Sequence, residues 1–249
     1  MKQLSETDRI RFDRQMRING WGETGQKQLK NATVGIIGAG GLGSPIAIYL
    51  AVAGIGKLII VDKDTIELSN LNRQILHWNY DIGALKTQSA QQKLHEINPD
   101  IEVVTYAEKA TDDTIERLFN GVDAVVDALD NFESRFLLNR FAVTHRIPLF
   151  HGAVWGLEGR ATTVLPGKTI CLRCIYEKIP PSEVFPVVGV TPAIIGSIQA
   201  TEILKYFTGI GELLANRLLI YDGEMMEFNQ VTLERDPNCP VCKNLNENS

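Results

Sequence analysis

The chain has 249 residues, of which 44% are hydrophobic and 22% charged, and its formal net charge at pH 7 is −5. These values are ordinary for a globular protein, and the acidic balance argues against a nucleic-acid partner, which normally needs a basic excess. No run of 18 apolar residues could span a bilayer, and the charged N-terminal sequence lacks the apolar core of a signal peptide. We therefore expect a cytoplasmic protein that does not contact a membrane.

The N-terminal 30 residues predict a helical arm, with Ile10, Met16 and Ile18 at helical spacing and a glycine-rich loop from residue 20 onward. From residue 31 to 152, apolar strands alternate with helices. Strands are predicted at 33–37, 57–62, 101–106, 122–127 and 147–152, and helices at 42–53, 84–97, 112–119 and 132–145. This alternation predicts an α/β fold: a Rossmann-like, doubly wound and mostly parallel sheet with helices on both faces.

The pattern changes after residue 152. A strand or hairpin is predicted at 153–165, and the proline-rich stretch 175–190 predicts an exposed, mobile connection. A helix at 192–207 is followed by two strands, 217–222 and 225–233, which flank the turn dipeptide Asp222-Gly223. We expect a single domain over 1–249, divided into the arm (1–30), a nucleotide-binding half (31–152) and an antiparallel C-terminal half (153–249).

A glycine loop, Gly38-Ala39-Gly40-Gly41-Leu42-Gly43, joins the first strand to its helix. Gly38 permits a tight turn, Gly40 lets the backbone approach a phosphate, and Gly43 lets the helix pack on the strand. The helix N-terminus offers free N–H groups to an anion. Asp62 ends the second strand, where such folds place an acid on the ribose hydroxyls. The loop predicts a nucleotide site but leaves NAD, FAD and ATP open.

Charged residues beyond the second and fourth strands bear on that choice. Arg73, in the run 67–74, is a planar fork suited to phosphate oxygens, and Lys86 adds a second cation at a helix start. Asp130 follows the strand that ends at Asp127, and a carboxylate there suits Mg²⁺. Alternatively, Asp130 caps the next helix and Asp127 is structural. The charges favour a triphosphate, with an NAD- or FAD-dependent oxidoreductase as the alternative.

All four cysteines occur in two CxxC pairs, Cys171/Cys174 and Cys239/Cys242. Without a secretory signal, such pairs indicate a metal site rather than disulfides. Four thiolates form a closed tetrahedral site without an open position, which is typical of structural zinc. Four ordinary buried thiols or a redox-active pair are the alternatives.

Two further residues suggest no function on their own. Arg14 is interpreted as a surface arginine of the helical arm. His151 ends an apolar strand and is interpreted as a partly buried histidine with satisfied hydrogen bonds rather than as a base.

Several segments together resemble the MoeB/ThiF/HesA group, bacterial relatives of the ubiquitin-activating enzymes, over essentially the whole chain. The segments are RQMRINGWGETGQ, GIIGAGGLGSP, LIIVDKDTIELSNLNRQ, GALKTQSA, DALDNFESRFLLN and CLRC…CPVC. The resemblance implies an enzyme that uses ATP and Mg²⁺ to adenylate the C-terminal Gly-Gly carboxylate of a ubiquitin-like sulfur carrier, MoaD- or ThiS-like, with release of pyrophosphate. It implies a place in molybdopterin, thiamine or related sulfur pathways. A tRNA-activating relative is a further alternative.

The resemblance also implies residue roles. Gly41 would contact phosphate, Asp62 the ribose and Asp130 the magnesium ion, while Arg14 would reach into the partner's site of a homodimer. The candidate catalytic residues are Arg73, Lys86, Asp130 and Arg14. The candidate nucleotide contacts are Gly38, Gly40, Gly41, Gly43, Asp62, Asp64, Ser69, Asn70, Leu71, Asn72, Arg73, Lys86, Asp130 and Asn131.

One position departs from several relatives, which carry a further cysteine in the loop before the helix at 192–207. Our alignment places Phe185 there. Because all four cysteines belong to CxxC pairs, no free thiol remains for a thioester or acyl-disulfide step. We therefore expect adenylation only, with sulfur supplied by a separate donor protein.

Overall fold

The computed structural model describes residues 2–176 and 186–245. Its strands are β1 Thr33–Ile37, β2 Lys57–Val61, β3 Glu102–Tyr106, β4 Ala124–Asp127, β5 Leu149–Trp155, β6 Glu158–Val164, β7 Arg217–Asp222 and β8 Glu227–Thr232. Its helices are α1 Glu6–Arg11, α2 Asp13–Met16, α3 Gly22–Asn31, α4 Gly43–Ala53, α5 Lys86–Ile97, α6 Ile115–Leu118, α7 Phe132–His145, α8 Leu172–Ile175 and α9 Val190–Thr208.

The strands form one sheet in the order β3-β2-β1-β4-β5-β6-β7-β8. The first five are parallel, and β6, β7 and β8 extend the sheet antiparallel from β5. This arrangement confirms the predicted doubly wound α/β sheet with an antiparallel extension. The chain winds outward from β1 to β3 and then returns to β4 on the other side of β1. Ligands of such sheets bind at this reversal, outside the carboxyl ends of the strands.

Helices cover both faces of the sheet, as predicted. The larger core packs α3, α4, α5 and α9 on one face and contains Leu29, Ile46, Leu50, Leu94 and Ile203. The second core packs α6, α7 and α8 on the other face and contains Ile115, Leu118, Leu138 and Leu172. Alternate residues of β1 point into opposite cores, which is why this central strand is apolar throughout its buried part.

The loop predicted after the first helix is wrong for residues 22–31, which form α3. Gly25 lies within this helix, where a Cβ would stand 3.3 Å from the Trp21 ring and from the Thr208 side chain of α9. The glycine therefore permits close packing of two helices instead of ending one. Tertiary packing outweighs the low helix propensity of glycine, which is only about 1 kcal/mol.

Of the two alternatives for 153–165, the structure shows a hairpin whose first strand, β5, begins at Leu149, and the hairpin predicted around Asp222-Gly223 is also present. β5 pairs with β6 along its whole length, and Trp155 lies opposite Glu158 next to the turn. In the same way β7 pairs with β8, and Asp222 lies opposite Glu227 next to the turn. The second turn spans 223–226 rather than the predicted dipeptide alone. Asp222 Oδ1 accepts the N–H groups of residues 224 and 225, at 2.9 and 3.1 Å, as aspartate commonly does at turns.

No helix in residues 2–176 or 186–245 is long and apolar enough to cross a membrane. Most of the predicted connection at 175–190, including Phe185, lies outside the described residues. Its described end contacts the sheet, because the Gly156 N–H donates to the Pro186 carbonyl at 2.7 Å.

Candidate functional site

The glycine loop joins β1 to α4 at the point where the strand order reverses. Gly38 has a φ of +98°, and a side chain there would collide with the carbonyl oxygen of Ala128. A side chain at Gly43 would collide with the carbonyl oxygen of Gly38. Packing alone therefore requires glycine at both positions. A Cβ at Gly40 or Gly41 would lie 3.3 Å or more from its nearest neighbours, and both residues line an adjoining cleft.

This cleft has a volume of about 430 Å³, within the usual range for small-molecule sites. Most of the predicted site residues meet there: Gly38, Gly40, Gly41, Asp62, Asp64, Arg73, Lys86, Asp130 and Asn131. They come from the carboxyl ends of β1, β2 and β4, from the turn that carries Arg73 and from the start of α5. The sheet topology thus assembles residues that are distant in the sequence.

Asp62 fastens the end of β2 to the glycine loop. Its Oδ2 accepts the Ala39 N–H at 2.8 Å, and its Oδ1 accepts the Asp64 N–H at 2.8 Å. The side chain is half-buried on the cleft wall. Each carboxylate oxygen has a second lone pair, so these contacts leave acceptor capacity for the predicted ribose hydroxyls.

Two positively charged side chains of the predicted set, Lys86 and Arg73, line the cleft. The Lys86 ammonium is nearly buried and lies 3.2 Å from Asp64 Oδ2. Burial tends to raise the pKa of Asp64, but Lys63 and Lys86 outweigh burial and hold that pKa below its ordinary value. Arg73 Nη1 donates to the Ser69 carbonyl at 3.0 Å and to Asn72 Oδ1 at 2.9 Å. The remaining guanidinium and ammonium donors can serve an anion.

The structure separates the roles of Asp130 and Asn131. Asn131 is the N-cap of α7, and its Oδ1 accepts the Ser134 N–H at 2.9 Å. The alternative in which Asp130 caps this helix is therefore wrong. Asp130 is exposed in the cleft, and Asn131 Nδ2 donates to its Oδ1 at 3.3 Å. An exposed carboxylate beside a phosphate site suits Mg²⁺, which is usually held by one or two acids together with phosphates.

Six predicted nucleotide or catalytic residues are not among those that line the cleft: Ser69, Asn70, Leu71, Asn72, Arg14 and Gly43. The first four form the turn before Arg73. Asn70 Oδ1 accepts the Glu67 N–H at 3.1 Å, so this side chain stabilises the turn that presents the guanidinium. Arg14 is exposed on α2. Gly43 likewise lies beside the cleft and serves packing.

Asp127 and His151 form a buried network behind Asp130. The Asp127 Oδ2 lies 2.8 Å from Arg135 Nε and 2.6 Å from His151 Nδ1. His151 Nε2 lies 3.1 Å from the Tyr176 hydroxyl. Burial lowers the pKa of His151, while the Arg135 charge and the His151 hydrogen bond outweigh burial to lower that of Asp127. His151 is completely rather than partly buried, and both of its ring nitrogens have hydrogen-bond partners, as expected.

Other cleft residues were missed by the sequence analysis: Lys63, Gln74, Glu108, Lys109, Val154, Val187 and Pro192. Glu108 and Lys109 follow β3, whose carboxyl end lies at the same sheet edge as those of β1 and β2. That placement could have been inferred from the strand order. Gln74 is 4% exposed, and its buried Oε1 lacks a hydrogen-bond partner within the described residues. Its position directly after Arg73 was the available signal.

The four cysteines meet at a second site beneath α7. Their sulfur atoms all lie within 4.8 Å of one another, with 3.7 Å between Cys171 and Cys239 and 3.5 Å between Cys174 and Cys242. A tetrahedral Zn²⁺ with four thiolates has sulfur separations of about 3.8 Å. The pairs are too far apart for disulfides. Burial raises the pKa values of Cys171 and of Cys242, the latter to about 11, whereas backbone N–H groups of Cys242 and Val241 outweigh burial and lower that of Cys239. A cation would compensate the charge of four thiolates at this site.

Comparison with known proteins identifies the fold and its chemistry. The family model described as "ThiF family" matches residues 12–241. The chain belongs to the ThiF family. A SAMP-activating enzyme E1 of Haloferax volcanii is 40% identical over 96% of this chain and 90% of its own length. A sulfur carrier protein adenylyltransferase of Thermus thermophilus is also 40% identical, over 93% of this chain and 90% of its own.

Solved structures agree with this assignment. A crystal structure of E. coli MccB with ATP has a TM-score of 0.82 and 25% identity, and the match covers 96% of this chain and 76% of that one. A complex of MccB with MccA-N7isoASN has a TM-score of 0.86 at 25% identity, over 97% and 76% of the two chains. This ThiF-family chain is therefore a MoeB/ThiF/HesA-type adenylyltransferase with a Rossmann-like sheet. The oxidoreductase alternative is wrong.

Proposed function

We propose that this ThiF-family enzyme adenylates the C-terminal glycine carboxylate of a small ubiquitin-like sulfur carrier, MoaD- or ThiS-like. The product would serve molybdopterin, thiamine or related sulfur-transfer biosynthesis. The observation that carries the proposal is the meeting of Arg73, Lys86 and Asp130 at the glycine-loop cleft. The names of two relatives, a SAMP-activating E1 and a sulfur carrier protein adenylyltransferase, support the choice of substrate class.

The reaction joins a tail carboxylate oxygen to the α-phosphorus of ATP and breaks the bond to the β-phosphate oxygen, so pyrophosphate leaves. A C-terminal carboxylate has an ordinary pKa of about 3.5 and is ionised at pH 7, so the reaction needs no general base. Arg73 and Lys86 neutralise the charge that develops on the phosphates. Asp130 would hold Mg²⁺, which would supply stabilisation of the phosphate charge. Gly41 and Asp62 contact phosphate and ribose.

An apolar groove beside the cleft supports binding of an extended tail. It is lined by α9 and the antiparallel strands, with Val190, Ala193, Ile194, Ile198, Leu219 and Phe228. Pro192 of the same helix lines the cleft. A tail that ran along the groove to the N-terminus of α9, where Val190 lines the groove and Val187 and Pro192 line the cleft, would reach the cleft there. A flexible Gly-Gly end suits the approach, because glycine lets a backbone pass close to a wall.

We further propose a homodimer in which Arg14 enters the partner's cleft. Arg14 is exposed and does not line the cleft of its own chain. Large apolar side chains are exposed on both segments concerned: Ile10 and Ile18 flank α2, and Leu68, Ile75, Trp78, Tyr80 and Ile82 surround Arg73. Apolar surface of this extent near a functional site is typical of protein interfaces.

The cysteine cluster is proposed to hold structural Zn²⁺. Its four sulfur atoms leave no ligand position open, so the ion would take no part in adenylation. Because the sequence contains four cysteines and all belong to this cluster, none remains for a thioester with the carrier. A separate protein would then donate the sulfur.

Exchange of labelled pyrophosphate into ATP tests the function. The enzyme is assayed with ATP, Mg²⁺ and individual MoaD-like and ThiS-like carriers, and the matched control for each carrier lacks the two terminal glycines. We expect exchange with at least one intact carrier and none with its truncated form. Exchange that ignores the tail, or no exchange with any intact carrier, would overturn the proposal.

A further inference from the structure

A buried chain of hydrogen bonds lies behind the glycine loop, and the proposed reaction does not use it. His77 is 3% exposed. Its Nε2 lies 2.9 Å from the carbonyl oxygen of Ala39, and its Nδ1 lies 2.9 Å from Ser89 Oγ. Lys93 Nζ donates to the same Ser89 oxygen at 2.7 Å. Because Ala39 lies between Gly38 and Gly40, this series of hydrogen bonds ends one residue away from the residues that line the cleft.

The hydrogen-bonding groups fix the donors at both ends of this chain. A carbonyl oxygen can only accept, so His77 Nε2 carries the hydrogen. An ammonium can only donate, so Ser89 Oγ accepts from Lys93, and its single hydrogen is within reach of both His77 Nδ1 and the Asp81 carboxylate. The hydrogen on Nε2 and the lowered pKa of His77 together favour the neutral ring, with Nδ1 as an acceptor. Burial lowers the pKa of His77, and the charges of Lys93 and Lys86 lower it further against the opposing Ala39 contact.

The far end of the chain is held in place. Lys93 forms a buried ion pair with Asp81. Its ammonium also lies 4.8 Å from the centroid of the Trp78 ring and 5.4 Å from that of Tyr80. Asp81 accepts the Trp78 N–H at 2.6 Å. Charged and aromatic partners on several sides restrict the conformation of Lys93, so this end of the hydrogen-bond series is rigid.

The loop is thus held from two directions at Ala39. Its N–H donates to Asp62, and its C=O accepts from His77. In a planar trans peptide, the carbonyl of Ala39 and the N–H of Gly40 point in opposite directions. Fixing the carbonyl toward His77 therefore directs the Gly40 N–H away from His77. Gly40 lines the cleft.

We propose that His77 is a positioning residue for the phosphates of the bound nucleotide. Its Nε2–H holds the Ala39 carbonyl and so orients the Gly40 N–H before the phosphates arrive. The inference rests on the proposed function in one respect, that ATP occupies the cleft. A hydrogen bond to a charged group is worth about 10- to 100-fold in affinity. Loss of the orientation should cost a comparable factor.

Equilibrium binding of ATP and adenosine, measured by calorimetry without a carrier, tests this role. His77→Phe removes both ring nitrogens, His77→Gln can keep a donor near the Nε2 position, and Ser89→Ala frees the tautomer. The matched control is His145→Gln, because His145 is an exposed histidine of α7 that pairs with Glu116. Thermal unfolding of each variant shows whether it is folded at the assay temperature.

We expect His77→Phe to weaken ATP binding by about 10- to 100-fold and adenosine binding by less than about twofold, since adenosine has no phosphate. Ser89→Ala should show the same selectivity at several-fold, His77→Gln should retain most of the ATP affinity, and His145→Gln should match the wild type. If the His77→Phe variant does not fold, the Ser89→Ala and His77→Gln variants decide.

A positioning role for His77 would be refuted if ATP binding and adenosine binding were weakened equally. It would also be refuted if folded variants without these hydrogen bonds kept the wild-type ATP affinity. Either result would leave the proposed function intact. A wild-type enzyme that does not bind ATP would refute the proposed function, and this inference with it.

Discussion

The nucleotide cleft and the cysteine cluster are built on opposite principles. The cleft collects charged groups that remain partly accessible, such as Arg73 and the exposed Asp130. The cluster collects four thiols that are buried or nearly so and that point at one another. The cleft keeps donors and acceptors available for a ligand, whereas the cluster turns its four sulfur atoms toward one another, an arrangement that could hold one metal ion.

This difference explains why one site is easier to recognise in the amino-acid sequence than the other. The cysteines need only the CxxC spacing and a fold that brings two pairs together, so the sequence reveals them directly. The cleft draws residues from strand ends, a turn and three helices. Its groups are positioned by hydrogen bonds within the protein: Asn70 stabilises the turn before Arg73, and Asn131 caps α7.

Asp130→Ala should cause the largest change, confined to the cleft. Loss of the metal-binding carboxylate should lower the rate of adenylate formation by about 10²- to 10³-fold, as removal of preorganised electrostatic groups commonly does. Pyrophosphate exchange measures the rate, and atomic absorption should show an unchanged metal content. Substantial exchange by the variant would show that Asp130 does not hold the magnesium ion.

Cys239→Ser should lower metal content and stability but leave the exchange activity of the folded protein unchanged. A neutral hydroxyl binds the metal poorly, and a loss of about 4 kcal/mol of folding free energy would lower the unfolding temperature by roughly 8–16 °C in a chain of this size. Calorimetric unfolding and metal analysis provide the two measurements. Below the new transition, exchange activity should persist. A stable, metal-loaded variant would contradict a structural role for the cluster.

Buried histidines should make stability fall on mild acidification. The pKa values of His77 and His151 are lowered by burial, so each favours folding above its unfolded value of about 6.5, and this stability is lost as pH falls toward the folded value. The free energy of unfolding should drop by up to about 1.4 kcal/mol per pH unit for each histidine below pH 6.5. Urea unfolding at pH 7.5, 6.5 and 5.5 measures it, and constant stability would contradict burial of the neutral rings.

The smallest expected change is a partial recovery of activity in mixed dimers, which tests whether residues of two subunits form one cleft. Arg14→Ala and Lys86→Ala should each be inactive, but mixed dimers should contain one site with both residues. Random mixing should restore roughly a quarter of the wild-type exchange rate, because half of the dimers carry one intact site of two. Mixtures as inactive as the separate variants would argue against a role for Arg14 across the interface.

Much of the fold could be predicted because its signals are local. Apolar strands, the glycine loop and the hairpin aspartate each reflect the backbone near them. What could not be predicted depends on tertiary contacts. Gly25 lies inside a helix because α9 packs against it, and Asn131 rather than Asp130 caps α7 because of where the strand ends. Val154 and Pro192 reach the cleft through sheet order and helix packing, which no local pattern records.

The central claim is that a tail carboxylate attacks the α-phosphorus of ATP in the glycine-loop cleft. An active carrier labelled with ¹⁸O in its terminal carboxylate tests this most directly, with hydroxylamine added to capture the activated acyl group. Attack by the carboxylate places one labelled oxygen on the released AMP, which mass spectrometry detects. We predict labelled AMP together with pyrophosphate. Unlabelled AMP, or ADP and phosphate as products, would contradict the account.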